Sequence, residues 1–136
     1  TMWREHRGDG HVAALVAAGV GGCASHVLRL ADQGGDPATM QAARGWSPDE
    51  WDATAADLRE RGWLDASGSL TTAGRDVRRG VEAATDRAAA EPVHRLGDDV
   101  DRVAAALSPL AAAIAAADAV PTHVIGLPSP PPGGAT

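Results

Sequence analysis

Phenylalanine, tyrosine and lysine are all absent from this 136-residue chain. Aromatic core volume is left to four tryptophans, Trp3, Trp46, Trp51 and Trp63. The remaining apolar mass is Ala, Val and Leu, which favours closely packed helices. All twelve basic residues are arginine, a bias that GC-rich coding produces along with abundant Ala, Gly and Pro. The single cysteine, Cys23, forbids an internal disulfide and cannot build a thiolate metal site. Placed after Gly21-Gly22, it reads as a small buried hydrophobe. The apolar runs are short and Ala-rich, so nothing reads as a signal peptide or membrane span, and a cytoplasmic protein is expected. Positive charge is also scarce. Eighteen acids against twelve arginines leave a net charge of −6, which opposes nucleic-acid binding in bulk.

The length fits one domain with a modest core. Residues 1–120 read as a mainly α, winged-helix-like domain, and residues 121–136 as a Pro- and Gly-rich tail, partly disordered. A first helix is expected from Gly10 to Gly19 with Asp9 as N-cap and Val12, Leu15 and Val16 on one face. A second runs from Cys23 to Gln33, and Asp36-Pro37 starts a short third to about Ala43. Ser47-Pro48-Asp49-Glu50 is the sharpest local signal: serine at N-cap, proline at N1 and glutamate at N3 form a capping box. That helix should end at Gly62. Residues 63–71, turning at Ala66-Ser67-Gly68, read as a small β-hairpin. Thr71 or Thr72 then caps a long helix to about Ala90, and Pro92 interrupts. A final helix from Gly97 to Asp118 carries Val100, Val103, Leu107, Leu110 and Ile114 on one stripe.

The order of these elements is that of a winged helix. The stretch from Leu58-Arg59-Glu60-Arg61-Gly62-Trp63-Leu64 to Leu70-Thr71-Thr72-Ala73-Gly74-Arg75 resembles the recognition-helix-to-wing segment of MarR-like regulators. A recognition helix must face a polyanion. Here residues 48–61 carry Asp49, Glu50, Asp52, Asp57 and Glu60 against Arg59 and Arg61, and the hairpin adds Asp65 and no arginine. The scaffold is therefore expected to have lost or reused its DNA-reading surface.

The densest chemistry lies at Arg4-Glu5-His6-Arg7-Gly8-Asp9-Gly10-His11. Gly8 and Gly10 would allow positive φ and close approach of backbone to a ligand. A helix starting near Gly10 would offer unpaired N–H groups to an anion, and Arg4 and Arg7 would add bidentate contacts. His6 or His11 would serve as general base, oriented by Asp9. The competing reading is an ordinary helix lead-in with solvated arginines and a packed His11. His6, Asp9 and His11 are too loosely spaced to assign a metal, and no cofactor is called for.

The string His6 to Val16 also resembles a signature of an actinobacterial two-domain, SCO-type helix-turn-helix family. Arg44-Gly45-Trp46, Trp51, Arg61-Gly62-Trp63-Leu64, Glu82 to Arg87 and Ile125-Gly126-Leu127-Pro128 are similar to that family too. In the family a helical domain precedes this region, so the resemblance implies a split form completed by a separate helical partner subunit. Such a pair is similar to the heterodimeric cyclases that close the aziridine ring in azinomycin- and vazabitide-type biosynthesis. The resemblance implies an amine displacing a sulfate ester on a substrate held by an amino-group carrier protein. By chemistry, His6, Asp9 and His11 are the catalytic candidates, and Arg4, Arg7, Gly8 and Gly10 the binding ones. The alternative is a MarR-like DNA-binding regulator or small-molecule-binding module of a biosynthetic cluster.

Overall fold

A computed structural model describes residues 2–117, with side chains from residue 4 onward. Trp3 as a core residue, the boundary at 120, the 121–136 tail and the Ile125–Pro128 likeness lie outside the described residues. The described chain is mainly helical, and its helices fall in two compact units, residues 1–92 and residues 93 onward.

The first helix, α1, spans Met2–Ala17. This corrects the expectation of a helix beginning at Gly10 behind an Asp9 cap. Gly8 and Gly10 both lie inside the helix, and neither has a positive φ. At Gly10 the inner side needs a small residue: a Cβ there would stand 2.9 Å from the Ala88 Cβ. The inner side runs through Gly10, His11, Ala14 and Leu15 rather than through the valines, and Val12 and Val16 are 60% and 72% exposed. Its end is a Schellman motif. Gly19 (φ 67°) donates to Val16, Val20 donates to Leu15, and Val20 is buried with Leu15 packed beside it.

Helix α2 spans Gly22–Gln33 and α3 spans Pro37–Arg44. The Asp36 carboxylate caps α3 by accepting from Ala38 N–H at 3.2 Å and Thr39 N–H at 2.9 Å. A turn through Gly45 (φ 73°) leads to α4, Pro48–Glu60. The expected capping box is complete: Ser47 Oγ accepts from Glu50 N–H at 3.2 Å, and Glu50 Oε2 accepts from Ser47 N–H at 2.9 Å. A second Schellman motif closes α4, with Gly62 (φ 71°) donating to Arg59 and Trp63 to Leu58. The core lies among these elements and buries Val20, Val27, Leu28, Met40, Trp51 and Leu58 together with Leu64 and Leu70. Of the described tryptophans only Trp51 is fully buried. Trp46 and Trp63 pack at its margin, and Cys23 is likewise only partly buried.

Between Trp63 and Thr71 the chain makes one antiparallel bridge, Leu64 to Leu70, and no strand is assigned among the described residues. The expected β-hairpin is thus reduced to a tight turn. Its cause is local: Asp65 Oδ1 accepts from Ser67 N–H at 2.8 Å and Ser69 N–H at 3.0 Å, which coils residues 65–69 around one carboxylate. Helix α5, Thr72–Leu96, follows, with Thr71 Oγ1 accepting from Gly74 N–H at 3.1 Å. Pro92 sits within this helix rather than ending it.

In the second unit, α6 spans Asp99–Ala116 after a turn at Gly97 (φ 52°). Its Leu107, Leu110 and Ile114 are exposed.

Candidate functional site

The lead-in residues come together along α5. On α1, residues four apart share a face, so His6 and Gly10 fall together, as do Arg7 and His11. His6 Nε2 lies 3.1 Å from the Ala88 carbonyl, and a carbonyl only accepts, so His6 donates through Nε2–H. His11 Nδ1 lies 3.0 Å from Thr85 Oγ1. That hydroxyl spends its own proton on the Val81 carbonyl at 2.8 Å, so it accepts from His11 Nδ1–H. Thr85 is fully buried and His11 half-buried, which fixes the ring's tautomer and direction. Nε2 remains as the His11 nitrogen able to carry a lone pair.

Arg7 meets two carboxylates of α5, Glu82 at 3.3 Å and Asp86 at 3.6 Å, while Arg4 pairs with its neighbour Glu5 at 2.7 Å. All of these groups are largely exposed, so each pair contributes little. Asp9 is exposed, and a Cβ added at Gly8 would meet nothing within 4 Å. Gly10 therefore serves helix packing, Gly8 packs against nothing, and neither belongs to a ligand loop. With α1 starting at Met2, the proposed anion site at a helix end near Gly10 does not exist. Thr85, Glu82, Asp86 and Ala88 were not singled out from the sequence as individual site residues. The signal available was their spacing at three and four positions on a helix, matching that of His6, Arg7, Gly10 and His11.

The expected recognition helix is α4, which follows α3 through the turn at Gly45. On α4 the residues Asp49, Glu50, Asp52, Asp57 and Glu60 are exposed. Arg61 does not offset them outward: it pairs with Asp57 at 2.9 Å, donates to the Gly19 carbonyl at 3.0 Å and lies over the Trp63 ring at 5.2 Å. Glu50 is held below the usual carboxylate range by the Ser47 N–H and hydroxyl. Asp65 is held down by the Ser67 hydroxyl and by N–H groups of its turn. The surface that would read a groove therefore stays anionic.

Elsewhere, Trp46 Nε1 donates to His26 Nδ1 at 3.1 Å, and burial, then Arg44 and Arg29, lower the His26 pKa below 6.5. Among the described residues no group of three or more His, Cys, Asp or Glu is placed to hold a metal, and no single helix is long and apolar enough to cross a membrane.

No curated protein and no solved structure matches this chain. A family profile does, and its span takes in all six described helices. With residues 1–121 matched, the chain belongs to a helix-turn-helix family.

Proposed function

We propose that this protein uses a helix-turn-helix scaffold as the small subunit of a heterodimeric biosynthetic cyclase, and not as a DNA reader. The observation that carries this reading is the exposed acidic face of α4, where a recognition helix would need cations. The finer fold we assign is winged-helix and MarR-like, with the Asp65 turn as a reduced wing. The likeness of residues 6–16 is to the actinobacterial helix-turn-helix family, and the choice of cyclase rests on the further similarity to the heterodimeric aziridine-forming cyclases.

In this reading an amine attacks the carbon bearing a sulfate ester on a carrier-bound substrate. The new C–N bond forms as the C–O bond breaks, sulfate leaves with the electron pair, and the amine proton passes to a base. His11 is the best-supported base among His6, Asp9 and His11, because the buried Thr85 hydroxyl holds its Nδ1–H and leaves the lone pair to Nε2. His6 docks α1 on α5 through Ala88. Arg4 and Arg7, one turn apart, would exchange Glu5 and Glu82 for sulfate oxygens. A helical partner subunit supplies the remainder of the site.

The test is sulfate release from the carrier-bound ester by the chain together with its partner subunit. His11→Ala should lose turnover and regain part of it with added imidazole. Full activity in His11→Ala contradicts the assignment. A second reading, a DNA-binding regulator, is favoured by the family match itself. A stable homodimer that binds DNA selectively and recruits no partner would establish it instead.

A further inference from the structure

Cationic side chains converge along one face of α2. His26, Arg29 and Asp32 occupy successive turns of that helix at spacings of three. The end of α3 meets the first turn: Trp46 Nε1 bonds His26 Nδ1, with the two rings tilted and their centroids 6.1 Å apart. Arg44, in the last turn of α3, stands close enough to act electrostatically on both His26 and Arg29. Helix α5 meets the third turn, where Arg78 Nε donates to Asp32 Oδ2 at 3.2 Å from a side chain only 18% exposed. Arg29 lies between these two ends and feels both Arg44 and Arg78.

Three guanidiniums and an imidazole thus share one face in a chain whose net charge is −6. Like charges gathered this way repel: burial first, and the neighbouring arginines next, push the His26 and Arg29 pKa values down. A guanidinium cannot relieve this by deprotonating in water at neutral pH. It is relieved by anions. Each guanidinium has five donors in a planar fork, so a contact already made within the protein, as Arg29, Arg44 and Arg78 each have, does not saturate it. The fork suits tetrahedral oxyanions in particular. Arg78 precedes Thr85 on α5 by two turns, roughly 10 Å of helix, so the cluster uses no residue of the α1 lead-in.

We propose that the His26–Arg29 face of α2, with Arg44 and Arg78 brought to it by α3 and α5, binds a tetrahedral oxyanion, sulfate or phosphate, as the free ion or as the monoester group of a small molecule. The site stands without the cyclase reading, and its test reads no turnover. The full chain is titrated with inorganic sulfate, inorganic phosphate, phenyl sulfate and phenyl phosphate, with ionic strength held constant by sodium chloride. Binding is read from the His26 ring signals by NMR and from the melting temperature. Saturable shifts are expected for the oxyanions, with affinity about tenfold weaker in Arg29→Gln and Arg44→Gln. Arg44 is exposed, which makes Arg44→Gln the variant that keeps its fold. Tighter binding of the esters identifies a small-molecule ligand, and equal binding identifies the free ion. Shifts no larger than those in chloride alone, or unchanged in both variants, overturn the proposal.

Discussion

Two glycines two positions apart do opposite work in α1. A Cβ on Gly8 meets nothing within 4 Å, whereas one on Gly10 would stand 2.9 Å from the Ala88 Cβ, an atom that cannot swing aside. Gly8→Ala should therefore stabilise the protein by about 0.5–1 kcal/mol through helix propensity. Gly10→Ala should destabilise it by about 1–3 kcal/mol through overpacking. Urea denaturation of the two variants checks this pair, and a loss of stability in Gly8→Ala would mean that the lead-in is a turn. The two histidines, two arginines and Asp9 are legible in the sequence as a polar cluster. The role of His6, Arg7 and His11 as the seam between two helices is not, because their partners at 82–88 lie far away in the chain and only the fold shows which side of α1 they meet.

His26 gives the chain a second residue-level test. Its folded pKa is lowered, by burial first and by Arg44 and Arg29 next, so below about pH 6.5 the unfolded state binds a proton that the folded state resists. The stability contributed by neutral His26 is thus complete above pH 6.5 and declines as pH falls through the folded value. Melting temperatures measured from pH 7.5 downward should drop in this window, and His26→Gln, which can still accept from Trp46, should flatten the drop. Asp36, Glu50 and Asp65 are shifted down by capping and turn hydrogen bonds, so their contribution is complete above the ordinary carboxylate range and is lost as pH falls from that range through their lower folded values.

At the scale of elements, the best-read pieces are those whose signal is local. Ser47-Pro48-Asp49-Glu50 holds a complete capping box in four consecutive residues, and α4 starts where it says. Ser47→Ala should remove about 1 kcal/mol, measurable as a shift in the urea midpoint. The 63–71 segment is less legible, because the same alternation of apolar and turn residues serves a hairpin or a closed turn. Asp65 decides for the turn by binding the backbone of Ser67 and Ser69. Gly74 then becomes indispensable at the start of α5: an added Cβ would clash with the Trp63 carbonyl oxygen. Gly74→Ala should cost about 3 kcal/mol or more, and a near-neutral melting temperature would show that the turn can shift. Helix α1 is misread for the converse reason. Glycine is a poor helix former, and only tertiary packing against Ala88 makes it the right residue at position 10.

The whole molecule combines a family scaffold with a charge that does not suit the scaffold's familiar task. The helix-turn-helix class was readable from helix order and from the Leu58–Arg75 stretch, and the family match over residues 1–121 establishes it. Charge on α4 was also readable, since every acid there is visible in the sequence. What the fold adds is that Arg61 turns back onto Asp57, Gly19 and Trp63, leaving the acids outward. Basic groups gather instead on α2, α3 and α5, around His26 and Arg29.

The central claim is that this helix-turn-helix protein does not read DNA through α4. Fluorescence anisotropy with a panel of duplexes, genomic and random, at low and physiological salt tests it most directly. Binding no tighter than about 10⁻⁴ M at physiological salt and equal across sequences is expected, the weak end of non-specific association. Nanomolar, sequence-selective binding with a steep salt dependence, abolished by substitutions on α4, would contradict it.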